Sequence, residues 1–298
     1  RDDLVTGVQT CALPISLQLT HGEACVAVCG QVSVRIKRAG GLLQEPGSWC
    51  SFMLFPGDTL VLGAVIDGCA YLACAGGWDV PSHMGSRSTY TRVGLGGLQG
   101  RAVQIGDRLR AGTANQILSP MRAEAPFAHD DGPIRVMVGP QIHHFHQDAL
   151  SRLTEAEWQS SAAQDRMGVR LMGEALAHAY AGAADMVSDA VTPGAIQVPA
   201  DGQPIVLMAD CQTMGGYPKI AVVIAADLPR LAHLPAGSVC RFAVVDAQQA
   251  AQAQAAARSR WSVWHGGVKA YQAAGWVDEN ALLGANLIDG MINATTQE

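Results

Sequence analysis

Apolar and polar residues alternate in short runs along most of this 298-residue chain, and a period of two is the pattern of half-buried strands. Between Leu17 and Arg110 the runs Val32 to Ile36, Ser51 to Phe55 and Leu60 to Leu62 are punctuated by Pro56-Gly57-Asp58 and Asp67-Gly68, residues whose backbone preferences set turns. A second strand-rich half runs from Ile134 to Val245. Within it, Ala195, Gln197 and Pro199 alternate with Ile196 and Val198, and Asp201-Gly202 offers the positive-φ pair of a tight hairpin turn before the apolar run Pro204 to Ala209. Gly215-Gly216 and Tyr217-Pro218 break that run, and Ile220 to Ala226 is a further stretch long enough to cross a core. Two segments depart from the alternation. Ser151 to Ala163 opens with a capping-box pattern, Thr154 with Glu157, and Ala247 to Trp264 is rich in Ala and Gln; both predict helices. The pattern predicts a mainly β, two-lobed protein with a few short helices.

Length and charge narrow the class. The chain is long enough for two domains with substantial cores. Its net charge of −6 without a basic cluster argues against nucleic-acid binding. No apolar stretch approaches the length of a membrane helix, so a cytoplasmic protein is expected. Among eight cysteines, Cys25 and Cys29 share one face of a CVAVC alternation with Ala27. Two further ligands at matching spacing are missing, which favours buried apolar cysteines over a metal site.

Several motifs are absent. None of the three lysines follows a glycine in a phosphate-loop context, and there is no HExxH or GxSxG. GLGGLQG, Gly94 to Gly100, has the wrong third-glycine spacing and no βαβ setting for a dinucleotide site, so a turn is expected. In His143-His144-Phe145-His146, His144 and His146 would share a strand face, but a polar strand end is the simpler reading.

The segment between the last two apolar runs concentrates polar chemistry. Asp210, Gln212, Thr213, Tyr217 and Lys219 flank Gly215-Gly216. Polar side chains beside a permissive glycine pair, carried on rigid strands, suit a site that approaches a ligand through backbone amides. A solvated hairpin tip whose glycines serve only turn geometry would carry the same pattern.

The blocks Pro193 to Pro199, Gly202 to Leu207, Ala209 to Ala221 and Ala226 to Leu231, in order and without gaps, resemble the signature of the family formed by the C component of bacterial 5-oxoprolinase, also called the KipI-antagonist or allophanate hydrolase subunit 2 family. YLACAGGWDVPSHMGSRSTY (Tyr71 to Tyr90), GGLQGRAVQIGDRL (Gly96 to Leu109), Ile134 to Phe145 and DRMGVRLMG (Asp165 to Gly173) are similar to further blocks of that family. Val169 stands where an aromatic is usual.

The resemblance implies two cyclophilin-like β-barrels, with residues 17–130 as an incomplete N-terminal barrel, 131–246 as the C-terminal barrel and 247–298 as a helical extension. It implies an ATP-dependent 5-oxoprolinase, active only with a KipI-like B component and a LamB/YcsF-like A component and using ATP with Mg2+ shared among them. The amide of 5-oxoproline is unstrained, so its hydrolysis to glutamate needs coupling to ATP, and phosphorylating the amide oxygen would create a good electrophile. On this reading Asp210 and Lys219 are the candidate catalytic groups. Arg87, Arg101 and Arg166 are candidate anion-binding forks, joined by Gln197, Gln212, Thr213, Gly215, Gly216 and Tyr217. Each has a plainer role available: Arg166 could pair with Asp165, and Asp107 could only close a turn. Two alternatives remain open: a carboxyltransferase component of a urea carboxylase-type system, whose biotin would arrive on another chain, and a non-catalytic regulator like the KipI antagonist.

One departure lies at the start. The QD-x-GR-type opening of the family is missing, and VTGVQTCALPIS (Val5 to Ser16) reads like a translated sequencing adapter, so residues 1–16 are expected to be non-native. An N-terminal barrel lacking its first strands would leave an unpaired edge, which invites association. The chain as given is expected to run as soluble aggregates, and a monodisperse peak in size-exclusion chromatography would contradict this.

Overall fold

The computed structural model of the protein describes residues 15–114 and 119–271. Two separate sheets wrap two hydrophobic cores, with three α-helices among the described residues, as the mainly β, two-lobed reading expects. In the first sheet the strand order is Ile15–Gln18, Thr59–Cys74, Ala24–Lys37, Cys50–Leu54, Met121–Arg122 and Lys269–Ala270, with Leu43–Gln44 pairing the Ala24–Lys37 strand. Ile15 and Ser16 pair with Leu62 and Val61, so regular structure begins inside the segment set apart as adapter-like. Cys11 lies outside the described residues.

The strands of this lobe run longer than their apolar patterns. Asp67-Gly68 is no turn: it sits inside the Thr59–Cys74 strand, where the register with the Ala24–Lys37 strand slips. Gly68 has φ 60°, and a Cβ there would lie 2.6 Å from the backbone oxygen of His233. A glycine bulge therefore lets the second lobe approach the first. Beside it, the Tyr71 hydroxyl lies 3.2 Å from His233 Nε2. In CVAVC the structure turns Val26 and Val28 to the core and leaves Cys25 and Cys29 half-buried on the other face. The expectation of buried cysteines is thus corrected, because the larger apolar valines claim the inner face. Pro56-Gly57-Asp58 does form a turn, with Gly57 at φ 90° and the Asp58 amide donating to the Phe55 oxygen. The buried Asp58 carboxylate takes Arg38 Nη1 at 2.5 Å.

The second lobe carries an eight-stranded sheet in the order Val239–Cys240, Trp158–Gln164, Gly168–Met172, Ile205–Leu207, Ala195–Gln197, Lys219–Val223, Ile134–Val138 and Phe242–Val244. All pairs are antiparallel except the last, which is parallel. Ala195–Gln197 and Ile205–Leu207 pair as the hairpin pattern predicts. Their connection is longer than a two-residue turn, and of Asp201-Gly202 only Gly202 has a positive φ, 72°.

Helix α1 spans Ala149–Glu155, shorter and earlier than the capping-box pattern placed it. Trp158 is the reason. Its ring is fully buried, and its indole donates to the Leu153 oxygen at 2.9 Å, so the chain leaves the helix to bury that ring in the strand Trp158–Gln164. Glu157 pairs with Arg241 instead of capping, and the Thr154 hydroxyl donates back to Leu150 and Ser151. Helix α2, Leu228–Ala232, follows the strand Lys219–Val223. Helix α3, Ala247–Gly266, forms as expected, with a capping box of Asp246 and Gln249. It returns the chain to the first lobe, where Trp264 donates to the Ala125 oxygen and Lys269–Ala270 pairs with Met121–Arg122.

Asp227, which anchors α2, is 0% exposed. Its carboxylate accepts Arg135 Nη2 at 2.6 Å, Nε at 2.9 Å and the Arg135 amide at 2.8 Å. Those donors hold Asp227 below the usual carboxylate range although burial pushes it up more strongly than any one of them pulls it down. Removing one partner of a buried pair strands the other, at about 3–5 kcal/mol. Asp227→Ala is therefore expected to destabilise the protein by about that amount in chemical denaturation; a loss below about 1 kcal/mol would contradict the buried pairing.

Candidate functional site

Lys219 opens the strand Lys219–Val223 and stands in register with Gln197 on the strand Ala195–Gln197. Opposed residues of neighbouring strands share a face, so the two polar side chains project together, 3% and 2% exposed. Gln141 joins them: its Oε1 accepts the Lys219 amide at 3.3 Å. Gly139 allows that approach, since a Cβ there would meet the Lys219 oxygen at 2.2 Å. These are three of the six buried polar or charged side chains among the described residues, and burying such groups is costly unless they are hydrogen-bonded.

Over this floor lies a two-stranded flap, Asp189–Ala190 paired with Met214–Gly215. Backbone bonds from Met186 to Gly216 and from Val191 to Thr213 extend it. Lys219 Nζ donates to Asp189 Oδ2 at 2.9 Å and to the Ala190 oxygen at 3.1 Å, and Gln141 Nε2 donates to the same Asp189 oxygen at 3.1 Å. Gln197 Nε2 donates to the Tyr217 oxygen at 3.3 Å and fills the space above Gly215, where a Cβ would lie 2.5 Å from it. The flap pair Asp189 and Gly215 thus sits over the barrel pair Lys219 and Gln197. A buried ammonium beside two carboxamides is a donor set for a carboxylate or for an oxygen that gains negative charge.

The other candidates have partners of their own or stand on the surface. Lys219 is a buried strand residue, not part of the exposed loop. Asp210 lies at the loop base and accepts Arg166 Nη2 at 2.8 Å, with the two side chains 22% and 32% exposed. Arg166 therefore pairs with Asp210 and not with Asp165, which binds Arg92 and the amides of Met167 and Gly168. Gln212, Thr213 and Tyr217 are on the loop, and all three are exposed. Gly215 serves the close approach of Gln197, and Gly216 accepts from the Met186 amide. Arg101 is far along the chain and spends its fork on Asp107, at 2.7 and 2.8 Å, which with the Gln104 amide holds that carboxyl down at about 2. Asp107 also closes the expected turn. Arg87 is exposed beside the bridge of His83 with Ser86.

The histidine cluster is not a strand end: Ile142–His144 is a 3-10 turn, and His144 Nδ1 lies 3.0 Å from the Ala183 oxygen. Among the described residues no three His, Cys, Asp or Glu side chains converge on a metal position. Gly94 to Gly100 forms turns, as expected. Two residues of the centre were not singled out from the sequence. Gln141 stood inside a quoted block, whereas Asp189 lies in a stretch with no pattern to mark it.

The profile of the carboxyltransferase domain, subdomain A and B, matches residues 9–244. The chain belongs to this family. Within it, the C component of 5-oxoprolinase from Escherichia coli is 40% identical over 185 residues, 62% of this chain and 59% of that protein. Its counterpart in Haemophilus influenzae is 41% identical over 183 residues, 61% of this chain and 58% of that protein. The chain spans less than two thirds of the length of either relative. The crystal structure of the K. lactis urea amidolyase superposes on 89% of this chain and 17% of its own, with a TM-score of 0.71 at 25% identity. Carboxyltransferase-domain architecture therefore accounts for both lobes. No helix among the described residues is long and apolar enough to cross a membrane.

Lys219 holds the Asp189 carboxyl below the ordinary aspartate value of 3.8, chiefly through their hydrogen bond. A carboxyl whose folded value is lowered stabilises the fold above its unfolded value and loses that contribution as pH falls through the folded one. The Asp189–Lys219 contact is thus expected to persist at neutral pH and to open only in acid below 3.8. Carbon-13 titration of the Asp189 carboxyl should show this, with the midpoint returning towards 3.8 in Lys219→Met; an unchanged midpoint in that variant would exclude Lys219 as the cause.

Proposed function

We propose that the chain works as the C component of an ATP-dependent 5-oxoprolinase, hydrolysing 5-oxoproline to glutamate together with the A and B components, and that the Lys219 centre contacts the lactam substrate. The observation that carries this is the buried Lys219 ammonium beside Gln141 and Gln197. 5-Oxoproline offers a carboxylate and an amide oxygen, and both are acceptors that such donors bind. A preorganised buried donor gains strength as charge builds on the oxygen it faces. The two 5-oxoprolinase relatives, each about 40% identical, support the same reading.

ATP and Mg2+ are shared with the partner proteins on this proposal. The residues near the flap do not by themselves compose a nucleotide-metal site: Arg166 is neutralised by Asp210, and no metal-ligating cluster lies among the described residues. A second reading, carboxyl transfer from biotin held by another chain, draws support from the likeness to the K. lactis urea amidolyase.

The test is 5-oxoproline-dependent ATP hydrolysis by the complex of this chain with its A and B components. Omitting this chain is expected to abolish turnover. Lys219→Met should lower kcat by about 10²–10³-fold, the usual loss when one preorganised donor is removed. Asp210→Ala should cost about tenfold or less, since a partly exposed pair is worth about 1 kcal/mol. No turnover from a folded complex would move the assignment to carboxyl transfer.

A further inference from the structure

We propose that the Asp189 carboxylate occupies the place of a ligand carboxylate: a small carboxylic acid anion binds Lys219, Gln141 and Gln197 by displacing Asp189, and this exchange releases the flap. The proposal deepens the reading of the Lys219 centre and rests on it for the nature of the substrate.

The first ground is an asymmetry. The Lys219 side chain is 4% exposed while that of Asp189 is 50% exposed. A buried ammonium left alone would carry a large desolvation cost. The half-exposed carboxylate, in contrast, can return to water with little penalty. Exchanging one carboxylate for another keeps the ammonium paired throughout, so only the flap changes place.

The second ground is how the contact is built. Lys219 and Gln141 both donate to a single oxygen of Asp189, Oδ2, while Oδ1 accepts the Ala190 amide within the flap itself. Two donors from the barrel thus converge on one point that any carboxylate oxygen could fill. The flap strands are two residues each, so their own ladder holds little. The tie to the barrel runs through Lys219, Gln141 and the Gln197 amide under Gly215. When the flap lifts, that amide loses its Tyr217 acceptor and becomes a third donor for the ligand.

A site open for only a fraction of the time binds more weakly in proportion to that fraction. Asp189→Asn keeps the shape and removes the competing charge, so it should bind a carboxylate more tightly, on the order of tenfold. The experiment is calorimetric titration of the full chain with acetate and, separately, with 5-oxoproline, for wild type, Asp189→Asn and Lys219→Met. Hydrogen exchange is followed at the Met186 and Val191 amides, whose bonds join the two segments of the flap and fray once the barrel no longer pins it. The expected result is tighter binding in Asp189→Asn, loss of binding in Lys219→Met, and faster flap exchange both in Asp189→Asn and in the ligand-bound wild type. Unchanged or weaker binding in Asp189→Asn would overturn the proposal. So would unaltered flap exchange in that variant, even if neither probe binds. Tightening for acetate with no response to 5-oxoproline would support the exchange while removing the oxoprolinase reading of this centre.

Discussion

The buried pair of Arg135 and Asp227 holds the second lobe in register and, through it, the contact between lobes. Arg135 lies on the strand Ile134–Val138 and Asp227 just before α2, so their bonds fix where α2 leaves the sheet. Arg230, one turn on, donates to the backbone of Gly132 and Pro133 and ties the segment that enters the lobe. His233, just after α2, is the residue that Gly68 and Tyr71 of the first lobe meet. A salt bridge of this kind contributes less by attraction than by the cost of leaving either half alone in a dry interior. It acts as a positional lock.

That lock steadies one end of the strand Lys219–Val223, because Ile134–Val138 pairs with it directly. The functional centre gathers where this pairing gives out, at Gly139 and Lys219. Regular hydrogen bonding across several strands positions the floor, whereas the flap above is a single pair of two-residue strands. A rigid base beneath a weakly tied cover is the usual division of labour between a scaffold and a binding segment.

What could be read from the chain was largely what local pattern controls. Alternation located the strands, and the Ala/Gln run located α3. The quoted blocks also contained both halves of several ion pairs, including Arg101 with Asp107 and Arg166 with Asp210, but one-dimensional order could not say that Arg166 passes over its neighbour Asp165 for a partner 44 residues away. The capping-box pattern at Thr154 was overridden by the burial of Trp158, a tertiary demand that outweighs a local cap. Asp189 was illegible for a related reason: nothing near it in the chain is special, and its meaning comes from Lys219, 30 positions on. The sequence marks Gly215 and Gly216 for the approach of a ligand, whereas the approach that Gly215 serves in the structure is that of Gln197.

The strand Lys269–Ala270 gives the first lobe an unusual timetable. Its sheet takes its final member after the whole second lobe and α3 have been made, and Trp264 reaches Trp49 across the same gap. During synthesis from the amino terminus, the strands up to Met121–Arg122 wait with one margin open until Lys269 has emerged. Contacts so distant in the chain form slowly because their loops must close first. The second lobe, whose strands all lie between Ile134 and Val244, can condense without them. The first lobe can thus gather its core from Ala24 to Leu62 early, yet the edge of its sheet stays open until the segment beyond α3 arrives to close it.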